Sequence, residues 1–331
     1  MTEAYLDIDE LIKQNRDFAV YRIPGETHLH FVMQQEGKVK TVYHIEDLNN
    51  QTGFIIAPFQ VSEELPIILI QGEKEIRPIK PQPVAQQTST EINPVPNEAY
   101  KRHFQTFIQP LHTQELDKLV LSRSLTIDRK ADFSPEETFQ KACARYTRSY
   151  VYLCHTAETG TWLGSTPEIL LSGKGNEWQT VALAGTKNLN KGELPTNWDA
   201  KNLKEQMLVV SYIRTQLSSL GIIPEESGPY TVRAGELAHL KSNFWFYLPD
   251  NHALGKVLSI LHPTPAVCGL PKEKAYHFIS ENEGYNRLYY SGFIGWLNPS
   301  DKSDLYVNLR CMHIGEEQLT LYAGGGLLAS S

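Results

Sequence analysis

The 331-residue sequence predicts an α+β protein: large, mostly antiparallel sheets with helices packed outside them. Three observations lead there. Short apolar or alternating runs recur along the whole length, among them "HLHFVMQ", "TGFIIAPF", "YVYLCHT", "EILLSG" and "WQTVALAG". Segments with helical spacing are grouped between runs of strands instead of alternating with them one by one. No fixed-period repeat is visible, which disfavours a solenoid or a propeller. With 41% hydrophobic and 21% charged residues, the composition is ordinary globular material, long enough for one large core or two smaller ones.

Taken in order, residues 1–76 form a strand-rich N-terminal part opened by a helix at "LDIDELIKQ". Residues 77–97, "RPIKPQPVAQQTSTEINPVPN", are rich in Pro, Gln and Thr and nearly empty of large apolar side chains, so they read as an extended linker or surface loop. Residues 98–331 contain longer units. A helix at "EAYKRHFQTFIQPL" is followed by the strand "KLVLSRSLTI", a helix at "SPEETFQKACARYTR" and a run of strands. The next segment, "NWDAKNLKEQMLVVSYIRTQLSSL", has helical spacing with Leu203, Met207, Val210 and Ile213 on one side. The chain then returns to strands with "FIGWLN", "LYVNLRCMHI" and "LTLYAGGGLLASS".

A net charge of -7 gives no basic footprint, so a nucleic-acid partner is not expected. The start "MTEAYLDIDELIKQN" lacks the basic and apolar regions of a secretory signal, and no run is apolar enough to span a bilayer. Cys143, Cys154, Cys268 and Cys311 lie far apart without a Cys-x-x-Cys pair, which fits buried, reduced thiols. A cytoplasmic protein is expected, monomeric or a weak homo-oligomer, without a membrane partner.

Several residues are candidates for chemistry, each beside a plainer reading. In "KLVLSR", alternation puts Lys118, Val120 and Ser122 on one face and Leu119, Leu121 and Arg123 on the other. Lys118 is either a strand-end charge reaching solvent or, in an enclosed site, an amine usable as a base. In "GSTPEILLSG", Glu168 is either an edge carboxylate or an acid at the mouth of a core, where burial favours the protonated form. Glu205 suits a solvated helix face, and equally one oxygen ligand of a Mg²⁺ ion that keeps its waters. "YAGGGLL" is either a plain turn or a close backbone approach to an anion, with Arg310 nearby as a two-pronged carboxylate partner. Neither a G-x-G-x-x-G motif nor a Walker-type Gly-Lys-Ser/Thr occurs, so nucleotide binding has no support.

In order, "KLVLSR", "GSTPEILL", "LAGT", "NLKEQMLVV", "LHPTPAVCGLP", "ENEGYNRLYYSGFIGW", "VNLRCMHI" and "YAGGG" resemble the chorismate-utilising enzymes from about Tyr100 to the end. Three positions resemble the water-using branch of isochorismate and salicylate synthases: Lys118, the Ala184-Gly185-Thr186 triplet, and Ala266 in "HPTPA". The resemblance implies a Mg²⁺-assisted isomerase acting on chorismate, with Lys118 as base toward water and Glu168 as acid toward the departing hydroxyl. It further implies Glu205 as metal ligand, and Arg310 with the Gly324 amide as carboxylate binders. Gly185, Thr186, His239, Ala266 and Tyr290 match pocket-lining positions. It leaves three products of the reading open: isochorismate synthase, salicylate synthase, or a chorismate-binding relative with impaired turnover. The sequence stops at Ser331, short of the family's terminal helix with its Glu-x-x-x-Lys segment, which reads as a truncation, and weak Mg²⁺ binding with little or no turnover is expected of it. Gln206, where many relatives carry His, is expected to have a modest effect.

Overall fold

The computed structural model describes residues 5–80, 98–189, 192–234, 237–249 and 253–331. The chain begins with α1 (Ile8–Lys13), β1 (Phe18–Arg22), β2 (His28–Met33), β3 (Lys40–Val42), β4 (Gly53–Ala57), β5 (Ile67–Ile70) and β6 (Glu75–Pro78). Then come α2 (Glu98–His112), β7 (Lys118–Asp128), α3 (Pro135–Arg145), β8 (Tyr150–Thr156), β9 (Gly160–Thr166), β10 (Ile169–Lys174), β11 (Glu177–Asn188) and α4 (Ala200–Ser219). The last third holds β12 (Glu225–Ala234), β13 (Leu237–Tyr247), α5 (Leu254–Leu261), β14 (Gly269–Leu270) and α6 (Lys272–Asn282). It closes with β15 (Phe293–Leu297), β16 (Lys302–Val307), β17 (Cys311–Ile314) and β18 (Gln318–Leu327). Of the segment read as a linker, Arg77 and Pro78 belong to β6, and residues 81–97 lie outside the described residues.

Two nine-stranded sheets result, and every pairing resolved between strands is antiparallel. One runs β14-β7-β18-β17-β9-β8-β1-β2-β6, the other β12-β13-β11-β10-β16-β15-β4-β5-β3. The expected α+β architecture is therefore present. Strands such as "GFIIA" in β4 are apolar throughout because both of their faces are covered. Phe54 and Ile56 point into the layer between the sheets with Tyr21, Tyr150, Trp162, Ile294 and Tyr306. Ile55 and Ala57 point the other way, into a core shared with Val209, Ile213 and Leu217 of α4 and Leu254, Val257 and Leu258 of α5. On the outer face of the first sheet, Val20, Phe31, Val151 and Leu153 meet Ile8 of α1 and Phe139 and Cys143 of α3. Leu119 and Leu121 of β7 pack on Phe107 of α2 and Ile279 of α6. Helices thus lie outside a double layer of sheet.

Local signals account for where helices start. Asp7 accepts from Glu10 N at α1, Ser134 from Glu137 N at α3 with Pro135 next in line, and Asp199 from Asn202 N at α4.

Three expectations are corrected. "LYVNLRCMHI" is two strands: β16 belongs to one sheet and β17 to the other, and the chain crosses at Asn308–Arg310. The glycine triplet is no turn, since Gly324, Gly325 and Gly326 pair with Ser122, Leu121 and Val120 inside the β18–β7 ladder. Finally, α4 buries Gln206, Val209, Ile213 and Leu217, while Leu203 is 41% and Met207 68% exposed. The cause is Gln206, whose amide accepts from Ala184 N at 2.9 Å and donates to Ala182 O and Ser242 Oγ, both at 3.2 Å. A polar side chain with its partners satisfied faces the sheet, and the helix is rotated accordingly.

Replacing Gln206 with Leu leaves the buried Ala184 N–H without this acceptor. We expect a loss of roughly 1–3 kcal/mol, read as a lowered urea midpoint.

Candidate active site

One cavity of about 270 Å³ opens where the two sheets meet α4 and the loop between α5 and β14. Its wall contains every site residue singled out in the sequence: Lys118, Glu168, Gly185, Thr186, Glu205, His239, Ala266, Tyr290, Arg310 and Gly324. Long separations in the chain are closed by sheet pairing, and the site is built from both sheets.

Lys118 opens β7, and its predicted alternation holds: Lys118 and Val120 face the cavity, and Leu119 and Leu121 face the helices. The lysine is 1% exposed, which removes the reading of a strand-end charge in solvent. Its Nζ lies 2.8 Å from Glu205 Oε1, and that carboxylate reaches across from α4. A Cβ added at Gly326 would lie 2.5 Å from the same oxygen, so the glycine leaves the space the pair occupies.

Glu168 sits just before β10, and a register shift between Ile169 and Leu171 marks a bulge beside it. Its carbonyl accepts from Val307 N at 2.9 Å, which ties it to β16. The side chain is 5% exposed, and Thr264 donates to Oε1 at 3.4 Å. Burial raises the Glu168 pKa to about 7, against the opposing pull of Lys118, Thr264 and Arg310. Near neutrality the carboxyl therefore exchanges a proton readily, which is the condition for an acid catalyst.

A second bulge lies on β11. The register with β13 shifts between Ala184 and Thr186, leaving Gly185 as the extra residue at φ +67. The displaced carbonyl of Gly185 then lies 3.1 Å from His239 Nδ1. A carbonyl only accepts, so Nδ1 carries the proton and Nε2 presents its lone pair. Arg310 Nη2 is 3.4 Å from that Nε2. Burial first, and the guanidinium second, lower the His239 pKa to about 4, so the ring is neutral at physiological pH. Arg310 itself stands at the crossing between the sheets with φ +50, and its Nη1 donates to Ala234 O at 3.0 Å.

The glycine strand completes the wall. Its ladder with β17 ends at Leu321, and Tyr322 to Gly326 line the cavity while pairing with β7 alone. A Cβ at Gly324 would lie 2.7 Å from the Tyr290 hydroxyl. "HPTPAVCGLP" is pinned at several points. His262 Nε2 lies 3.1 Å from Pro58 O, and Lys272 Nζ donates to His262 O at 2.7 Å. Ala266 and Val267 are its contribution to the cavity.

Sequence reasoning missed the frame behind these residues. Glu283 and Arg287, both 2% exposed, form an ion pair at 2.6 Å. Arg287 also donates to Val267 O at 2.7 Å and Val120 O at 2.9 Å, and Glu283 accepts from Ser122 N at 2.7 Å. The pair therefore locks the Lys118 strand to the loop bearing Ala266. Asn308 is fully buried: it accepts from the Tyr152 hydroxyl at 2.6 Å and donates to Tyr289 O at 2.8 Å.

Two outcomes follow. Arg287→Met strands a buried carboxylate, so we expect a loss of about 3–5 kcal/mol in chemical denaturation. For Glu168, the folded pKa is raised, so the native carboxyl keeps its proton where the unfolded one has lost it. Stability from this group is full below the unfolded value of 4.5 and is lost as pH rises through about 7. Glu168→Gln should accordingly stabilise the fold at pH 9 relative to pH 5, by at most ~3 kcal/mol, in paired thermal melts.

The profile of the family described as chorismate binding enzyme matches residues 53–331. The vibriobactin-specific isochorismate synthase of Vibrio cholerae is 26% identical over 268 residues, covering 76% of this chain and 66% of that protein. Isochorismate synthase DhbC of Bacillus subtilis is 28% identical over 258 residues, covering 72% of this chain and 64% of that protein. The chain thus spans about two thirds or less of the length of these curated relatives. Among solved structures, the menaquinone-specific isochorismate synthase MenF of Escherichia coli superposes with a TM-score of 0.79 at 22% identity, over 100% of this chain and 88% of that one. Anthranilate synthase component I of Streptococcus pneumoniae shares the fold with a TM-score of 0.69 at 16% identity, over 96% of this chain and 86% of that one. With the family profile matching from Gly53 to the last residue, this chain belongs to the chorismate binding enzymes.

Proposed function

We propose that the protein is an isochorismate synthase that converts chorismate to isochorismate. The observation that carries this reading is the placement of two buried groups of opposite duty, Lys118 and Glu168, on the wall of one cavity. In the proposed step, Lys118 takes a proton from water as the water oxygen bonds to ring carbon C2. The ring double bonds shift, the C4–O bond breaks, and Glu168 supplies the proton with which that hydroxyl leaves as water. Hydroxide is a poor leaving group and water a poor nucleophile at neutral pH, so both proton transfers are needed. Arg310 and the Gly324 amide would hold the enolpyruvyl carboxylate, and Thr186, His239, Ala266 and Tyr290 would shape the pocket around the ring.

Mg²⁺ belongs to the reading. The test of fit is the donor set: Glu205, 14% exposed, brings one carboxylate to the cavity, whose Oε1 also meets Lys118 at 2.8 Å, and it is an oxygen donor of the kind Mg²⁺ prefers. When bound, the ion would supply positive charge for the ring carboxylate. A cytoplasmic location and monomeric or weakly homo-oligomeric state complete the proposal. The four free, buried cysteines suit a reducing compartment.

The deciding assay is incubation with chorismate and Mg²⁺ followed by chromatographic separation of the products. Isochorismate is expected; salicylate with released pyruvate would move the assignment to salicylate synthase, and unchanged chorismate would leave a binding protein. Lys118→Ala and Glu168→Gln should each lower kcat by roughly 10²–10⁴ with the fold retained. Full activity in either variant removes that residue from the step.

A further inference from the structure

Far from the cavity, "ETHLH" gathers three metal-capable side chains. Glu26 lies in the turn after β1, and His28 and His30 project from the same face of β2, two residues apart. Their ligand atoms all lie within 4.8 Å of one another. Both imidazole Nε2 atoms are aimed at one carboxylate oxygen: Glu26 Oε2 is 3.1 Å from His28 and 2.7 Å from His30. In the sheet, β17, β9, β8 and β1 separate β2 from the glycine strand. The cluster is therefore distinct from Glu205 and from the proposed chemistry.

We propose that Glu26, His28 and His30 form a Zn²⁺ site that staples the turn between β1 and β2. At metal–ligand distances of about 2.1 Å, tetrahedral donors stand about 3.4 Å apart. The contacts of 2.7 and 3.1 Å to Glu26 open by about 0.7 and about 0.3 Å to reach that spacing, and all three ligand atoms already lie within 4.8 Å of one another. Two imidazoles and one carboxylate suit Zn²⁺ and leave a fourth position for water, whereas Mg²⁺ and Ca²⁺ prefer all-oxygen shells. His30 is 6% exposed and stacks on Tyr21 at 5.1 Å, so its ring is held in place. Its Nδ1 is buried without a partner, which leaves the Glu26 side of the ring as the only polar engagement this histidine has among the described residues. One neighbour opposes a cation: Lys74, whose charge acts on His30 and whose ammonium lies over the Trp296 ring at 5.2 Å.

The test uses tag-free, chelator-dialysed protein titrated with Co²⁺, read by its visible absorption bands, then with Zn²⁺ against a chromophoric chelator. One equivalent of Zn²⁺ should displace Co²⁺ and raise the melting temperature. His28→Gln, at a half-exposed position, should weaken binding by roughly tenfold or more, with Glu26→Gln as the second variant should the first fold poorly. Lys74→Ala should tighten it, and Glu205→Gln should leave it unchanged. Failure to bind one equivalent, or equal affinity in the Glu26 and His28 variants, would overturn the proposal and leave the cluster as an ion pair. Because every readout is metal binding or melting, the outcome is independent of whether chorismate is turned over.

Discussion

The buried Asn308 amide is the constraint on which the cavity depends. At this point the chain leaves one nine-stranded sheet and enters the other, and a crossing inside a protein exposes backbone groups that neither sheet satisfies. Asn308 resolves the difficulty from its own side chain, accepting from Tyr152 and donating to Tyr289 O, while its backbone pairs with Gly292 and Ser291. Two residues later Arg310 takes up a left-handed conformation and turns its guanidinium toward His239. The fixed crossing, together with the packed layer between the sheets, sets residues from β7 and β18 against those from β10, β11 and β13.

Electrostatics in the cavity follows from the same enclosure. Desolvation acts in opposite senses on acids and bases, raising Glu168 to about 7 and lowering His239 to about 4. The buried Lys118 amine is not left without a polar partner, because Glu205 meets it at 2.8 Å. Around this set the ties are largely main-chain: Gly185 O orients His239, Ala234 O holds Arg310, and Val267 O and Val120 O hold Arg287. Each bulge supplies one residue the ladder does not use, and both lie beside the cavity.

Much of this was legible in the sequence because alternation has a period of two, and a strand's faces can be read from its first residue onward. The faces of β7 follow from "KLVLSR", and the site residues follow from ordered motifs. Less accessible were features in which a polar group is satisfied by distant backbone. Gln206 looks like a solvated helix residue until Ala182, Ala184 and Ser242 are brought to it. Glu283 and Arg287 lie four residues apart, and nothing in that spacing points to their further partners on β7 and the loop before β14. "LYVNLRCMHI" appears continuous because both halves are apolar, and only the sheet order reveals that it belongs to two sheets.

The open edge of β18 bears on how this cavity can diverge. From Tyr322 to Gly326 the wall is largely main chain, and main-chain donors are the same whatever side chain is attached. Apart from proline, which removes the N–H, point substitution cannot delete them; it can only obstruct them by adding bulk, as the positions of Tyr290 and Glu205 against Gly324 and Gly326 make clear. Selection on this strand therefore acts as a ceiling on side-chain size, a limit that does not bind the side chains other elements bring to the cavity, such as Glu168 before β10 and Ala266 in the loop before β14. A lineage could exchange side chains elsewhere around the cavity and leave the main-chain face of β18 unaltered.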